Sequence, residues 1–130
     1  EIAQCLVGSE MCIRDSDMTA LKDPDNRYDA VIAGNVIHLL DDPQKAFSEL
    51  IRVTKPGGKI IIPTYLQAEA GAFRLLIKLY KLMGFDYSKA FTVDEYLNFI
   101  ADNAEANGCA EYSTRYIHGN VPLGFAVIKK

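Results

Sequence analysis

The sequence predicts an α/β fold, a largely parallel sheet with a crossover helix that ends in an antiparallel hairpin. Three observations carry this. From Asp17 onward, short apolar runs alternate with longer amphipathic segments, the pattern of strands separated by helices. Two of the runs flank one helical stretch, and a strand, helix, strand unit of that kind sets its strands parallel. The last two runs are joined by His118, Gly119, Asn120, Val121 and Pro122 alone, a connection short enough for an antiparallel pair.

Each element has a local cause. Residues 28–34 are contiguous in apolar character rather than alternating, as in a buried strand, and residues 35–40 form the loop after it. Asp41, Asp42 and Pro43 then start a helix, because an aspartate accepts from the free amides of the first turn and proline tolerates the first helical position. Ala46, Phe47, Leu50 and Ile51 recur at helical spacing and give it one apolar face. Pro56, Gly57 and Gly58 are expected to end it. Residues 59–65 read as a second buried strand, with Pro63 near its end, where a missing donor is tolerable.

Residues 68–83 are expected to be helical, with Ala72, Leu76, Leu79 and Met83 on one face, Arg74, Lys78 and Lys81 on another, and Gly84 as the stop. A further helix runs over 92–107. Thr92 is its N-cap, Glu95 completes a capping box, and Gly108 closes it. Residues 110–117 and 123–128 are the hairpin strands.

At 130 residues, with 49% apolar and 24% charged side chains, the chain suits one domain. A net charge of −3 argues against nucleic acid as the main partner. No run approaches the roughly 20 apolar residues of a membrane-spanning helix, and no leader pattern opens the chain, so a soluble, cytoplasmic protein is expected.

The stretch from Leu6 to Asp15, LVGSEMCIRD, resembles one reading frame of the transposase adapter used to prepare sequencing libraries. Residues 1–16 are therefore read as a non-native segment joined to residues 17–130. Cys5 and Cys12 fall inside it, which leaves Cys109 alone and no disulfide framework or zinc pattern. Without it the chain carries 13 basic and 14 acidic residues.

Four stretches then stand out: Asp17 to Leu21, Arg27 to Val31, Asn35 to Leu40, and the helix-ending Arg52-Val53-Thr54-Lys55-Pro56-Gly57-Gly58 before an apolar strand. Together they resemble the class I S-adenosylmethionine-dependent methyltransferases, in particular the small-molecule branch that includes the ubiquinone and menaquinone biosynthesis enzymes. The resemblance runs from Asp17 to Lys130. It implies a Rossmann-like methyltransferase fold that is N-terminally truncated here, because the family's glycine-rich loop and ribose-binding acid have no counterpart before Asp17. It also implies S-adenosylmethionine as cofactor, with a small, apolar or aromatic molecule as methyl acceptor. The truncated chain is expected to be inactive by itself.

Carried over residue by residue, the resemblance makes Asp17 the acceptor for the adenine amino group and Met18 the residue whose amide meets the ring. Gly34, Asn35 and Val36 become the backbone nearest the methionine end of the cofactor. His38 is the residue of this half with acid–base capacity near neutral pH, and in the loop at the carboxyl edge it suits removal of a proton from the acceptor. Residues 65–91 are the insertion that varies with substrate. Tyr65, Phe73, Tyr80 and Phe85 are read there as the lining of a lid, and the basic side of its helix also suits contact with a membrane surface. His118 is expected to face solvent. A methyltransferase-like subunit that binds a partner without catalysis is the competing reading.

Overall fold

The computed structural model describes residues 15–67, 90–109, 111–119 and 122–130. The predicted helix over 68–83 lies outside the described residues. So do Phe73, Tyr80 and Phe85.

Strand β1 (Tyr28–Ile32) leads through a 3-10 turn (Ile37–Leu39) into helix α1 (Pro43–Val53), and α1 runs directly into strand β2 (Thr54–Tyr65). Helix α2 (Val93–Ala106) follows, then strands β3 (Glu111–Ile117) and β4 (Leu123–Lys129). The sheet order is β1-β2-β4-β3. β1 and β2 are parallel, while β4 is antiparallel to both of its neighbours. β3 thus points the same way as β1 and β2, and β4 alone runs against them.

Alternation along the strands decides where the core lies. Ile60, Ile62 and Thr64 of β2 and Ala126 and Ile128 of β4 are fully buried. They pack with Phe47, Leu50 and Ile51 of α1 and Tyr96, Phe99 and Ile100 of α2. Tyr96 has no exposed surface and donates its hydroxyl to the Ile62 carbonyl at 2.6 Å. Phe99 meets the Phe47 ring edge-on at 5.9 Å between centroids.

The helix starts match the sequence reading. Asp42 caps α1 by accepting from the Lys45 amide at 3.0 Å, with Pro43 as first residue. Thr92 and Glu95 form the complete capping box of α2, and Gly108 beyond its end has φ +71°.

Two expectations need correction. The first concerns where α1 ends: the helix stops at Val53 and β2 already begins at Thr54, so Pro56, Gly57 and Gly58 lie inside a strand. The cause is tertiary, because each of the last four helical carbonyls finds a partner outside the helix ladder. The Thr54 hydroxyl donates to the Leu50 carbonyl at 2.6 Å and the Lys130 ammonium to that of Ile51 at 2.8 Å. The Asn26 and Arg27 amides take those of Arg52 and Val53. Gly57 adopts φ +78°, while a Cβ on Gly58 would stand 2.8 and 2.9 Å from the carbonyl oxygens of Lys55 and Asp29. Gly58 therefore serves the close approach of β2 to β1, and Gly57 the positive φ.

The second concerns β1, which was expected to be buried. Only Val31 of the strand is even half-buried, and Ile32 keeps 67% of its surface exposed. Among the described residues β1 pairs with β2 alone, so a run of apolar residues suited to an interior strand stands at the sheet edge.

Candidate active site at the carboxyl edge

β1 ends at Ile32, and its continuation crosses to β2 through two backbone bonds. Ala33 donates to the Ile61 carbonyl at 2.9 Å and Asn35 to that of Pro63 at 2.7 Å. Pro63 lacks an amide, and it presents its β1-facing side just where the β1 ladder has ended. Asn35 sits at φ +52°, a conformation asparagine tolerates better than most residues. Its Oδ1 accepts from the Tyr65 amide at 3.2 Å. The side chain of Asn35 is thus engaged in latching the tips of β1 and β2 together, which leaves Gly34 and Val36 to present backbone.

Gly34 is exposed, and a Cβ there would meet only Pro63 Cγ at 4.0 Å. Nothing in the described packing requires glycine at this position. Val36 is half-buried against the core and opens the 3-10 turn. His38 is the middle residue of that turn. Its Nδ1 is buried with no hydrogen-bond partner among the described residues, and burial lowers its pKa, so the imidazole is neutral at pH 7. The Thr64 hydroxyl, at the same end of β2, is also buried without a partner among the described residues.

The segment before β1 returns Asp17 to this edge. Residues 17–27 run beside α1 in the helix's own direction. Asp17 feels the charge of Lys45 in the first turn, Leu21 donates to Glu49 one turn on, and Asn26 and Arg27 reach the last carbonyls. Since α1 starts at the carboxyl edge, so does this segment. The Asp17 carboxylate accepts from both the amide and the hydroxyl of Thr19 at 2.8 Å through Oδ1. Those two bonds hold its pKa below the ordinary aspartate value. Its Oδ2 and the Met18 amide have no partner among the described residues.

Tyr65 is 48% exposed, with its amide on Asn35. His118 is exposed, its ring 4.3 Å from that of Tyr116. The structure therefore brings Gly34, Asn35, Val36, His38 and Tyr65 to one edge and sets the Asp17–Met18 turn beside the first turn of α1, which starts there. An open groove of about 740 Å³ bordered by Gln44, Gln67, Phe91, Glu95, Phe99 and Asp102 contains none of them. Two features escaped the sequence reading. Thr64 carried no motif, whereas Arg52 stood inside a quoted one without a role.

Comparison with known proteins bears on the fold and on what the sequence is similar to. A methyltransferase domain family matches residues 2–62, a range that takes in most of the adapter-like segment. The demethylmenaquinone methyltransferase of Renibacterium salmoninarum is 39% identical over 64 residues, which are 49% of this chain and 27% of that protein. The ubiquinone/menaquinone biosynthesis C-methyltransferase UbiE of Bdellovibrio bacteriovorus is 33% identical over 73 residues, 56% of this chain and 31% of that protein. The chain thus spans less than a third of the length of these two relatives. A SAM-dependent methyltransferase from Thermotoga maritima superposes with a TM-score of 0.64 at 21% identity, over 88% of this chain and 62% of that one. The fold is that of the class I, Rossmann-like methyltransferases. The sequence matches are to methyltransferases of ubiquinone and menaquinone biosynthesis.

Proposed function

We propose that the protein containing these residues transfers a methyl group from S-adenosylmethionine to a small, apolar or aromatic acceptor of the demethylated quinone type. The observation that carries the reading is the shared carboxyl edge, where the segments at Asp17, Gly34 to His38 and Tyr65 converge. Open α/β sheets take their ligands at that edge.

The residues present fit the cofactor. An acceptor beside a donor reads the amino edge of adenine, and Asp17 Oδ2 next to the Met18 amide is such a pair, with neither engaged among the described residues. At Gly34 the absence of a side chain answers to no contact within the described chain, which suits approach of a ligand to the backbone. The cofactor, when bound, supplies a methyl group activated on a sulfonium.

The work of the chain is positioning. Asn35 fixes the two strand tips, and the Gly34–Val36 backbone that it holds carries the reacting end. A fixed geometry of this kind converts an encounter into an intramolecular step. His38, neutral at pH 7, is free to take the proton that the acceptor releases. Tyr65 offers an exposed ring for an apolar acceptor.

The test begins with the source DNA, read across codon 17 and upstream, to recover the native reading frame. The whole protein is then incubated with methyl-labelled S-adenosylmethionine and a demethylmenaquinone analogue, and label in the extracted quinone is the expected result. Binding of S-adenosylhomocysteine without transfer to any quinone analogue would refute the acceptor class. Absence of binding would refute the activity.

A further inference from the structure

The helix-ending arginine forms a clamp that the proposed chemistry above does not use. Arg52 Nη2 donates to the Leu21 carbonyl at 2.9 Å, and Glu49 Oε2 accepts from the Leu21 amide at 2.8 Å. Both backbone groups of one residue are thus held by two side chains a turn apart on α1. The pair is itself joined, with Arg52 Nε on Glu49 Oε1 and Nη2 on Oε2, each at 2.8 Å. The same guanidinium reaches on to the Asp23 carbonyl at 2.8 Å and the Asp25 carboxylate at 2.7 Å. Arginine suits this because its planar fork serves several acceptors in fixed directions, which an ammonium on a flexible stem does not.

Leu21 lies four residues beyond Asp17, and the intervening chain is a tight turn in which the Ala20 amide donates to the Asp17 carbonyl at 3.0 Å. A turn that short passes the position of one end to the other. Met18 packs against the core, and the Leu21 backbone is where the turn is hydrogen-bonded to α1, so Leu21 helps to set the place of the Asp17 carboxylate.

We propose that Glu49 and Arg52 are positioning residues for the adenine-recognising turn, holding Asp17 and Met18 through the backbone of Leu21. The proposal rests on the cofactor reading of Asp17 and Met18. It assigns to the arginine of the Arg-Val-Thr-Lys-Pro-Gly-Gly stretch a function at the opposite end of the helix from its glycines.

The test uses the whole protein with its native reading frame recovered as above, backbone amide NMR, and S-adenosylhomocysteine as probe. In the unmodified chain the probe is expected to shift the Met18 and Thr19 amide resonances and to slow exchange at Leu21. Arg52→Ala should raise Leu21 exchange by about tenfold or more and weaken the probe about tenfold, the loss of one to two charge-assisted bonds, with β2 and β4 amides as protected as before. Arg52→Lys should fail to rescue either readout, since a lysine paired with Glu49 cannot also span Leu21 and Asp23. Glu49→Gln, which keeps an acceptor for Leu21, should fall between, and it carries the test if the arginine variants do not fold.

Unchanged exchange at Leu21 would overturn the clamp. Faster exchange with unchanged probe affinity, or full rescue by lysine, would overturn the positioning role while leaving the cofactor reading in place. An unmodified chain whose Met18 and Thr19 resonances ignore millimolar probe would overturn the cofactor reading, and the proposal with it.

Discussion

Lys130 offers the sharpest test of how the helix end is held. Its ammonium donates to the carbonyls of Ile51 and Thr54 and to Asn26 Oδ1, each at 2.8 Å. Its backbone is separately paired, with the amide on the Gly58 carbonyl and the carbonyl on the Gly57 amide. Lys130→Met therefore keeps the stem and the ladder and removes only the charge. Ile51 retains the Thr54 amide and Asn26 is exposed, so the chief loss is the charged donor to the Thr54 carbonyl. A hydrogen bond to a charged group contributes about 1.5–3 kcal/mol, and a cation at a helix C-terminus adds about 0.3–1 kcal/mol. The ammonium is half-exposed and water replaces part of it, which puts the expected loss at about 2 kcal/mol. The neighbouring Lys129 is the control. Among the described residues its ammonium pairs only with Glu111 at 3.1 Å, both side chains well exposed, and Lys129→Met should change stability by less than about 0.5 kcal/mol. The sequence has no tryptophan, so urea unfolding is followed by circular dichroism, with the slope required to stay constant. A Lys130→Met loss no larger than that of Lys129→Met would refute the cap.

The remaining predictions address packing and pH. Gly58→Ala places a Cβ within 2.9 Å of two backbone carbonyls, and urea titration should show a loss of about 3 kcal/mol or more because backbone, unlike a side-chain tip, cannot move aside cheaply. Tyr96→Phe removes the donor to the Ile62 carbonyl without opening a cavity, so about 1–2 kcal/mol should disappear in the same assay. For His38 the sign follows from burial, which lowers the folded pKa below the ordinary imidazole value of 6.5. The unfolded chain then binds the proton first, so stability is full above 6.5 and falls as pH drops from there toward the folded value. Asp17 and Glu49, whose folded pKa values lie below 3.8 and 4.5, lose their contribution only at lower pH. His38→Gln should flatten the stability profile just below pH 6.5 and leave the acid limb unchanged. A slope surviving the substitution would refute the assignment.

The sequence showed most where a signal is local. Capping by Asp42 and Thr92 depends on residues within three positions, and both caps form as read. The apolar face of α1 and the terminal hairpin obey short periods, and they also hold. The end of α1 was misplaced because its last carbonyls are satisfied by Asn26, Arg27 and Lys130, partners up to 79 residues away, and no propensity rule sees them. The exposure of β1 was missed for a related reason: apolar continuity reports the neighbours a strand suits and not those the described residues supply. At the carboxyl edge, the loop that holds Gly34 and Asn35 was legible from the strand before it. The use of the Asn35 side chain as a latch was not, because it depends on where Tyr65 returns.

These placements divide the sheet between two tasks. At its amino edge, polar groups are closed off by one another: Lys130 on the helix end, Arg52 on the 21–25 loop, and Gly58 where the strands crowd. At the carboxyl edge, Asp17 Oδ2, the Met18 amide and His38 Nδ1 have no partner among the described residues. Of these, His38 Nδ1 is buried, whereas Asp17 is exposed, and native proteins seldom leave a buried polar atom unpaired without a use for it. Stability is thus concentrated at one edge and unspent hydrogen-bonding capacity at the other. Substitutions at the amino edge should then lower the unfolding free energy and reach ligand affinity only through a link such as Leu21. Those at Asp17, Gly34 or His38 should alter affinity while the unfolding free energy near neutral pH changes little.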